Sequence, residues 1–274
     1  MALSRLLTTG SSELPWTEMW SQLAALIEEF GPPRAGGKAQ RAAYPFTRLR
    51  SDNVWVLDHE VTDDDVKALD RHRVVGRFED CIESALRADP SLVLAEARTL
   101  VESHFPATVA PDVLTAVGLD PDAVLRSGDV LPDKAAPDAK RRDPRWRSLV
   151  LQAWDRQCAF CGYDGQLGNV SAGVEAAYVR WFAFGGPDAL DNGLALCALH
   201  HKLFDLGVLG LDTTLRVQVS ETFTARTDEG KRVYDLHGHE LRPRSGTSPP
   251  DSKHVSWHTK QVFKGQPLST ATTG

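Results

Sequence analysis

Residues 175–205 read EAAYVRWFAFGGPDALDNGLALCALHHKLFD. The stretch contains Asn192, the double histidine His200-His201 and the short spacing Cys197-x2-His200. Upstream, CAFCGYDG (158–165) supplies a second close pair, Cys158 and Cys161, followed by glycines that let the backbone fold back. Two such pairs can close a tetrahedron around one zinc ion, each contributed by a single turn of chain. The spacing predicts a helix over LALCALHHKLFD, where positions i and i+3 share a face. Cys158, Cys161, Cys197 and His200 are therefore the expected ligands of a structural zinc. His201 is an alternative fourth ligand through a Cys-x3-His spacing.

The composition sets bounds on what surrounds this cluster. A chain of 274 residues, 42% hydrophobic and 25% charged, can hold two modest domains, each with its own core. No apolar run approaches the roughly 18 residues that a membrane span needs. The opening MALSRLLTTGSS lacks a sustained apolar segment and does not read as a signal peptide, which predicts a cytoplasmic protein with reduced thiols. The formal charge of −6 conceals an uneven distribution. Residues 31–51 carry Arg34, Lys38, Arg41, Arg48 and Arg50 without an acidic residue, and KRRDPRWR (140–147) is basic again. Screening confines such fields to about 10 Å, so local patches decide contact with phosphates.

Along the chain, PWTEMWSQLAALIEEF (15–30) places Trp16, Met19, Trp20, Leu23, Ile27 and Phe30 at helical spacing, which marks a core face. NVWVL reads as a short strand. FEDCIESALRA, SLVLAEARTLVESHF and APDVLTAVGL read as amphipathic helices, with Cys81 a small core residue of the first. From about residue 120 to 144 the chain mixes Pro, Asp, Gly and Lys without periodicity, as a linker does. Beyond Leu211, LRVQVSETF and KRVYDLHG suggest strands, and HVSWHTKQVF a last short helix. The sequence predicts an α+β protein. A mainly helical domain (1–125) precedes a linker (126–144), a second domain with structural zinc (145–265) and a tail (266–274).

Through CAFC, VEAAYVRW, GGPDALDNGLALC and LHHKLFD, residues 146 to about 265 resemble an HNH endonuclease of the kind found in modification-dependent restriction enzymes. The resemblance implies two strands and a helix around one catalytic divalent cation, Mg²⁺ or Mn²⁺, apart from the structural zinc. It implies that Asn192 fixes the hairpin geometry, that His201 ligates the catalytic metal and that His200 belongs to the zinc. The position of the family's water-activating histidine is occupied by Tyr178, and the residue before it is Ala177. Glu175, the nearest acidic residue, is a candidate metal ligand; on a strand it shares a side with Ala177. Histidine titrates near about 6.5 and suits a general base, whereas tyrosine titrates near about 10 and stays protonated. Loss of a general base typically costs about 10²–10⁴-fold in rate. The expected consequence is weak or absent hydrolysis.

The first domain contains a second informative stretch, RAAYPFTRLRSDNVWVLD (41–58), in which Tyr44-Pro45-Phe46 sits inside the basic segment. Together with VVGRFEDCIESALRADPSLVLAEARTLVESHFP and DVLTAVGLD, it resembles the sulfur-binding domain that accompanies HNH modules in phosphorothioate-dependent restriction enzymes. The resemblance implies recognition of duplex DNA carrying sulfur in place of one non-bridging oxygen. Sulfur is more polarisable and less well hydrated than oxygen, so an apolar concavity walled by Tyr44 and Pro45 favours it. Arg5, Arg34, Lys38, Arg41, Arg48, Arg50, Arg73 and Arg77 are candidate phosphate contacts, with Phe46 and His72 as further candidates. RHRVVGR (71–77) matches a family loop near the sulfur, although the chain lacks that family's glycine pair before Phe78.

The resulting expectation is a type IV, McrA-like restriction endonuclease acting on phosphorothioated DNA as a homodimer, because cutting two strands calls for two sites. The alternatives are a catalytically silent phosphorothioate-DNA-binding protein and an HNH nuclease that reads a methylated base, which would need an aromatic pocket for a flipped nucleotide.

Overall fold

A computed structural model of the chain describes residues 1–33, 36–126, 143, 145–242 and 249–269. Arg34, most of the expected linker (127–142 and 144) and the end of the expected tail (270–274) lie outside the described residues. The chain divides into two units, Met1–Ser103 with Ala110–Lys134, and His104–Val109 with Ala135–Gly274. No helix among the described residues is long and apolar enough to cross a membrane.

The first unit is mainly helical: α1 (Ala2–Thr9), α2 (Trp16–Phe30), α3 (Lys38–Arg48), α4 (Val66–His72), α5 (Asp80–Ala88), α6 (Pro90–His104), α7 (Ala110–Ala116) and α8 (Pro121–Arg126). Three short antiparallel strands, β1 (Leu14–Pro15), β2 (Trp55–Leu57) and β3 (Val75–Phe78), pair in the order β1-β3-β2. The aromatic residues spaced along the sequence meet in one core. Phe46 lies 5.3 Å from Trp16 and 6.0 Å from Trp55, ring centre to ring centre, and Trp55 lies 5.8 Å from Phe78. The Trp16 indole N–H, which would be costly to bury unpaired, donates to Asp70 at 2.8 Å. Gly76 is required where it stands: a Cβ there would fall 2.5 Å from the Trp55 indole.

Tyr44-Pro45-Phe46 lies within α3. Two expectations change in this unit. Residues 121–126 form α8 inside the stretch read as linker. Cys81 is exposed, because α5 buries Glu83 and Leu86 instead. Glu83 tolerates burial because Ser12 donates to it at 2.5 Å and Arg87 pairs with it.

The second unit is built on an antiparallel pair, β6 (Val174–Tyr178) and β7 (Gly193–Cys197), with α10 (Ala198–Asp205) following β7 directly. Helix α9 (Trp146–Ala153) packs on both strands. Around this ββα core stand the small hairpins β4 (Gln166–Leu167) with β5 (Val170–Ser171) and β8 (Leu209–Leu211) with β9 (Val217–Val219), and helices α11 (Asp228–Lys231) and α12 (Ser252–Gln261). The register sets Ala177 opposite Leu194 and Tyr178 opposite Gly193. A Cβ on Gly193 would meet Val150 of α9 at 2.5 Å, so only glycine lets the helix approach.

The helix predicted over LALCALHHKLFD begins only at Ala198. The first residues of that stretch are claimed by pairing with β6, which outweighs their helical propensity. KRVYDLHG is not a strand: Thr227 caps α11 by accepting from the Gly230 amide at 3.2 Å, and a 3₁₀ turn follows at Tyr234–Leu236.

Helix α12 buries two histidines, His254 and His258. The His258 ring stacks on Phe204 of α10, with centres 3.8 Å apart, and its Nε2 lies 3.1 Å from the Phe204 carbonyl. Burial pushes the His258 imidazole down to about 3, only partly offset by that carbonyl. Between about pH 6.5 and 3 the unfolded chain therefore takes up a proton that the folded chain refuses. Stability should fall as pH drops through this window, by up to about 1.4 kcal/mol per pH unit. His254 is lowered too, again chiefly by burial. In thermal unfolding between pH 7.5 and 4.5, the variant His258→Gln should thus show a shallower pH slope than the parent; an unchanged slope would contradict the assignment.

Candidate functional site

The sharpest cluster is sulfur-rich. One ligand atom from each of Cys158, Cys161, Cys197 and His200 lies within 4.8 Å of all the others. Cys158 and Cys197 approach His200 Nδ1 at 3.4 and 3.3 Å. The knuckle 158–163 closes on itself, with the Cys158 amide donating to the Tyr163 carbonyl and the Gly162 amide to the Cys158 carbonyl, both at 2.8 Å. Gly162 sits at φ 76, where a side chain would be strained. The Ala159 amide then ties the knuckle to β7 through the Ala195 carbonyl at 2.7 Å.

Crowding splits the thiols. Hydrogen bonds from Cys161 and Cys197 pull the Cys158 thiol down, and the Cys158 sulfur in turn pushes Cys197 up. For His200, burial acts downward, but the neighbouring sulfurs of Cys158 and Cys161 prevail and raise it to about 9. Three sulfurs and an imidazole this close make a donor set that a cation stabilises by displacing their protons. The cluster could hold a metal ion.

His201, one residue on, points elsewhere. Its Nδ1 lies 2.7 Å from Glu175 Oε2 on β6, and its Nε2 lies 3.3 Å from Asp205 Oδ2 one helical turn below. A neutral imidazole has one N–H and can satisfy only one of two carboxylates, so the trio accommodates one more positive charge, a proton or a cation. Burial pushes the Asp205 carboxyl up, while the charge of His201 and a hydrogen bond from Thr108 hold it back. Lys202 donates to the Thr108 carbonyl, which fixes residues 104–109 against α10. Glu175, His201, Asp205 and Thr108 border a cavity of about 490 Å³ that Arg147 and Tyr178 also line.

Tyr178 is held through both its ring and its hydroxyl. Its ring lies flat on Trp146, with centres 3.8 Å apart and planes 6° apart, and its hydroxyl donates to Asp188 Oδ1 at 2.6 Å. The other Asp188 oxygen accepts from the Asp143 amide at 2.7 Å. Asn192 is fully buried and clamps the loop between β6 and β7. It donates to the carbonyls of Arg180 and Pro187, both at 3.0 Å, and accepts from the Arg180 amide at 2.8 Å. Gly186 permits this closure, since a Cβ there would sit 1.9 Å from the Arg180 carbonyl oxygen. Ala177 is fully buried while Glu175, Ala176 and Tyr178 line the cavity, so Glu175 and Ala177 do not share an open face as strict alternation predicts.

In the first unit, α3 turns Ala42, Ala43, Phe46 and Thr47 inward. Arg41, Tyr44, Pro45 and Arg48 therefore occupy the opposite side, at the i, i+3, i+4, i+7 spacing of one helix face. The Arg48 guanidinium lies 4.3 Å above the Tyr44 ring centre, an arrangement that fixes both groups. Pro45 has no N–H, so it cannot donate to the Arg41 carbonyl in the helix ladder. Phe46 is 4% exposed and belongs to the core, which removes it from the expected contact surface.

Several expected phosphate-binding cations already have acidic partners. Lys38 pairs with Glu28 at 2.8 Å, Arg50 with Asp63 at 2.5 Å and Arg77 with Asp80 at 2.5 Å. Arg48 lies 3.6 Å from Asp64. Arg5 has a buried Nε with no hydrogen-bond partner among the described residues. His72 stacks on His59 at 5.4 Å, and Arg73 ends α4 in a left-handed conformation at φ 48. The sequence reading missed Asp205, Asp188, Arg147 and Thr108. Asp205 alone had a local signal, its i+4 spacing from His201.

Residues 1–122 match the family described as the ScoMcrA-like DNA sulfur-binding domain, and residues 158–212 match the HNH endonuclease family. Among solved structures, the chain is similar to the modification-dependent TagI restriction endonuclease at 24% identity and a TM-score of 0.35, over 44% of this chain and 38% of that one. It is also similar to the type IV phosphorothioation-dependent restriction endonuclease ScoMcrA at 12% identity and a TM-score of 0.34, over 85% of this chain and 91% of that one. No curated protein matches.

A four-ligand cluster of this kind takes one ion. Purified protein should carry about one tightly held metal per chain by elemental analysis, and Cys158→Ser should lose it and melt at lower temperature. Metal-free protein indifferent to strong chelators would refute the site.

Proposed function

We propose that this chain, which joins a ScoMcrA-like DNA sulfur-binding domain to an HNH endonuclease domain, is a modification-dependent restriction endonuclease that binds phosphorothioated duplex DNA and acts on phosphodiester bonds nearby. The observation that carries the reading is the outer face of α3. There an aromatic ring and a proline edge lie between Arg41 and Arg48, in a domain matched to DNA sulfur binders. The apolar pair suits the sulfur, and the two guanidinium groups suit the flanking phosphates without reading bases.

In the second domain, Cys158, Cys161, Cys197 and His200 suit a structural Zn²⁺ by softness and spacing. Glu175, His201 and Asp205 suit a catalytic Mg²⁺ or Mn²⁺, since carboxylate oxygens dominate the set. Bound there, the ion would absorb charge on the transferring phosphate. Arg147 offers the cavity a second cation for the same phosphate. Asn192 keeps the hairpin loop, and with it Asp188, in place. Hydrolysis by water is weak, because Tyr178 holds a hydroxyl where a general base is needed. The working form is a homodimer, with one site for each strand.

Two measurements test the reading. At fixed salt, a phosphorothioated duplex should bind at least about tenfold more tightly than its plain counterpart, and Tyr44→Ala should remove most of that preference, worth about 1.4 kcal/mol. Equal affinities would refute sulfur recognition. With Mg²⁺ or Mn²⁺, Tyr178→His should raise the rate of hydrolysis by about 10²–10⁴-fold. Specific binding with no cutting by either form would instead identify a catalytically silent binder.

A further inference from the structure

We propose that Tyr178 is itself a nucleophile, so that the chain cleaves a DNA strand by transesterification and becomes covalently joined to one of the two ends. This rests on the reading above that the cavity beside Glu175, His201 and Arg147 receives the DNA backbone.

The argument begins with what the hydroxyl can do. A phenol is a poor acceptor of a proton from water, but as a nucleophile it needs only to lose its own. The acceptor for that proton is in place: Tyr178 Oη donates to Asp188 Oδ1 at 2.6 Å, within the range of hydrogen bonds to ionised oxygen. The carboxylate is oriented from behind by the Asp143 amide on its other oxygen at 2.7 Å. A nucleophile, a base within hydrogen-bond reach and a group that orients the base form the constellation of covalent catalysis.

The ring is as constrained as its hydroxyl. Its face lies on Trp146 at 3.8 Å, and the Trp146 indole is fixed by donating to the Ala189 carbonyl at 3.0 Å. Asn192 holds Pro187, next to Asp188, at 3.0 Å. Tyr178 also lines the cavity together with Glu175, His201 and Arg147, so the phenol and the groups that bind a phosphate face the same space.

The step balances without a further reactant. The Tyr178 oxygen attacks phosphorus while its proton passes to Asp188. A phosphotyrosyl ester bond forms, and the bond from phosphorus to the sugar oxygen of the departing strand breaks. That oxygen then takes a proton from solvent, and nothing is oxidised or reduced. Release of the joined strand requires activated water, which the site supplies poorly. Cutting should therefore stop near one event per chain, and attack by the departing hydroxyl should reverse it.

The test uses the full chain, Mn²⁺ and a ³²P-labelled duplex, phosphorothioated or plain, at saturating protein, with binding measured in parallel. After denaturation and nuclease digestion, label should remain on the protein, and mass spectrometry should place a nucleotide on Tyr178. Tyr178→Phe should bind the duplex as the parent does and carry no label. Asp188→Asn preserves an acceptor for the hydroxyl but not a base, so labelling should slow at least about tenfold and recover as pH rises. Tyr178→His should cut with turnover and without label. The proposal is overturned if Tyr178→Phe still becomes labelled, if the parent cuts without label and takes ¹⁸O from water into its product, or if the bound duplex is neither cut nor joined. Loss of selective binding would refute sulfur recognition, whereas intact binding without any label refutes the tyrosine step alone.

Discussion

Strand β7 passes into α10 at Cys197 without an intervening loop, and both clusters of the second unit depend on that junction. Cys197 is the last residue paired to β6, opposite Val174, and it also stands immediately before the first turn of the helix. Successive residues of a helix point about 100° apart. His200 and His201, in the first turn, therefore diverge: one ring meets the sulfurs of the knuckle, and the other meets Glu175 and Asp205. A cation among the sulfurs would thus fix the strand end, and through it the angle at which α10 presents His201. A junction lengthened by one residue would rotate the pair and empty both clusters.

The same geometry explains what could be read in advance. Four ligands in two close pairs are a local signal, and the structure gathers the four into one cluster. The stripe of Trp16, Trp20, Leu23 and Ile27 likewise lies on one helix, with Trp16 at the centre of its core. Two failures came from features that are not local. The residues of β7 have adequate helical propensity, and only their pairing with β6 makes them a strand. Glu83 breaks the usual rule for charged residues because Ser12, far away in sequence, reaches it. Asp188 and Thr108 carried no signal at all, since the value of each lies in one partner set by the fold.

The surface of the first unit shows how charge in a sequence differs from charge in a structure. The run from 31 to 51 has no acidic residue, yet Lys38, Arg48 and Arg50 all find carboxylates supplied by Glu28, Asp63 and Asp64. Exposed pairs of this kind are worth little to stability. They do hold the guanidinium groups in fixed positions, which suits recognition of a regular backbone better than free side chains would. Any anion arriving at Arg48 would have to compete with Asp64 at 3.6 Å, exchanging one anion for another. Tyr44 and Pro45, on the same helix face, have no charge to exchange.

The segment His104–Val109 shows that the two domains are not separable by cutting the sequence between them. It lies inside the stretch 1–122 that matches the sulfur-binding family, yet it groups with the second unit. Phe105, Pro106 and Thr108 line the cavity, Thr108 donates to Asp205, and Lys202 donates back to the Thr108 carbonyl. Asp205 is almost wholly buried, and burial pushes its carboxyl up. A fragment beginning after residue 122 would therefore leave Asp205 without its hydroxyl donor and Lys202 without its acceptor. Of the two losses the first matters more, because the buried carboxylate, with His201 still beside it, loses a hydrogen bond that water cannot readily replace, whereas Lys202 can turn to water. The geometry of the cavity thus depends on a part of the chain that lies within the match to the DNA sulfur-binding family.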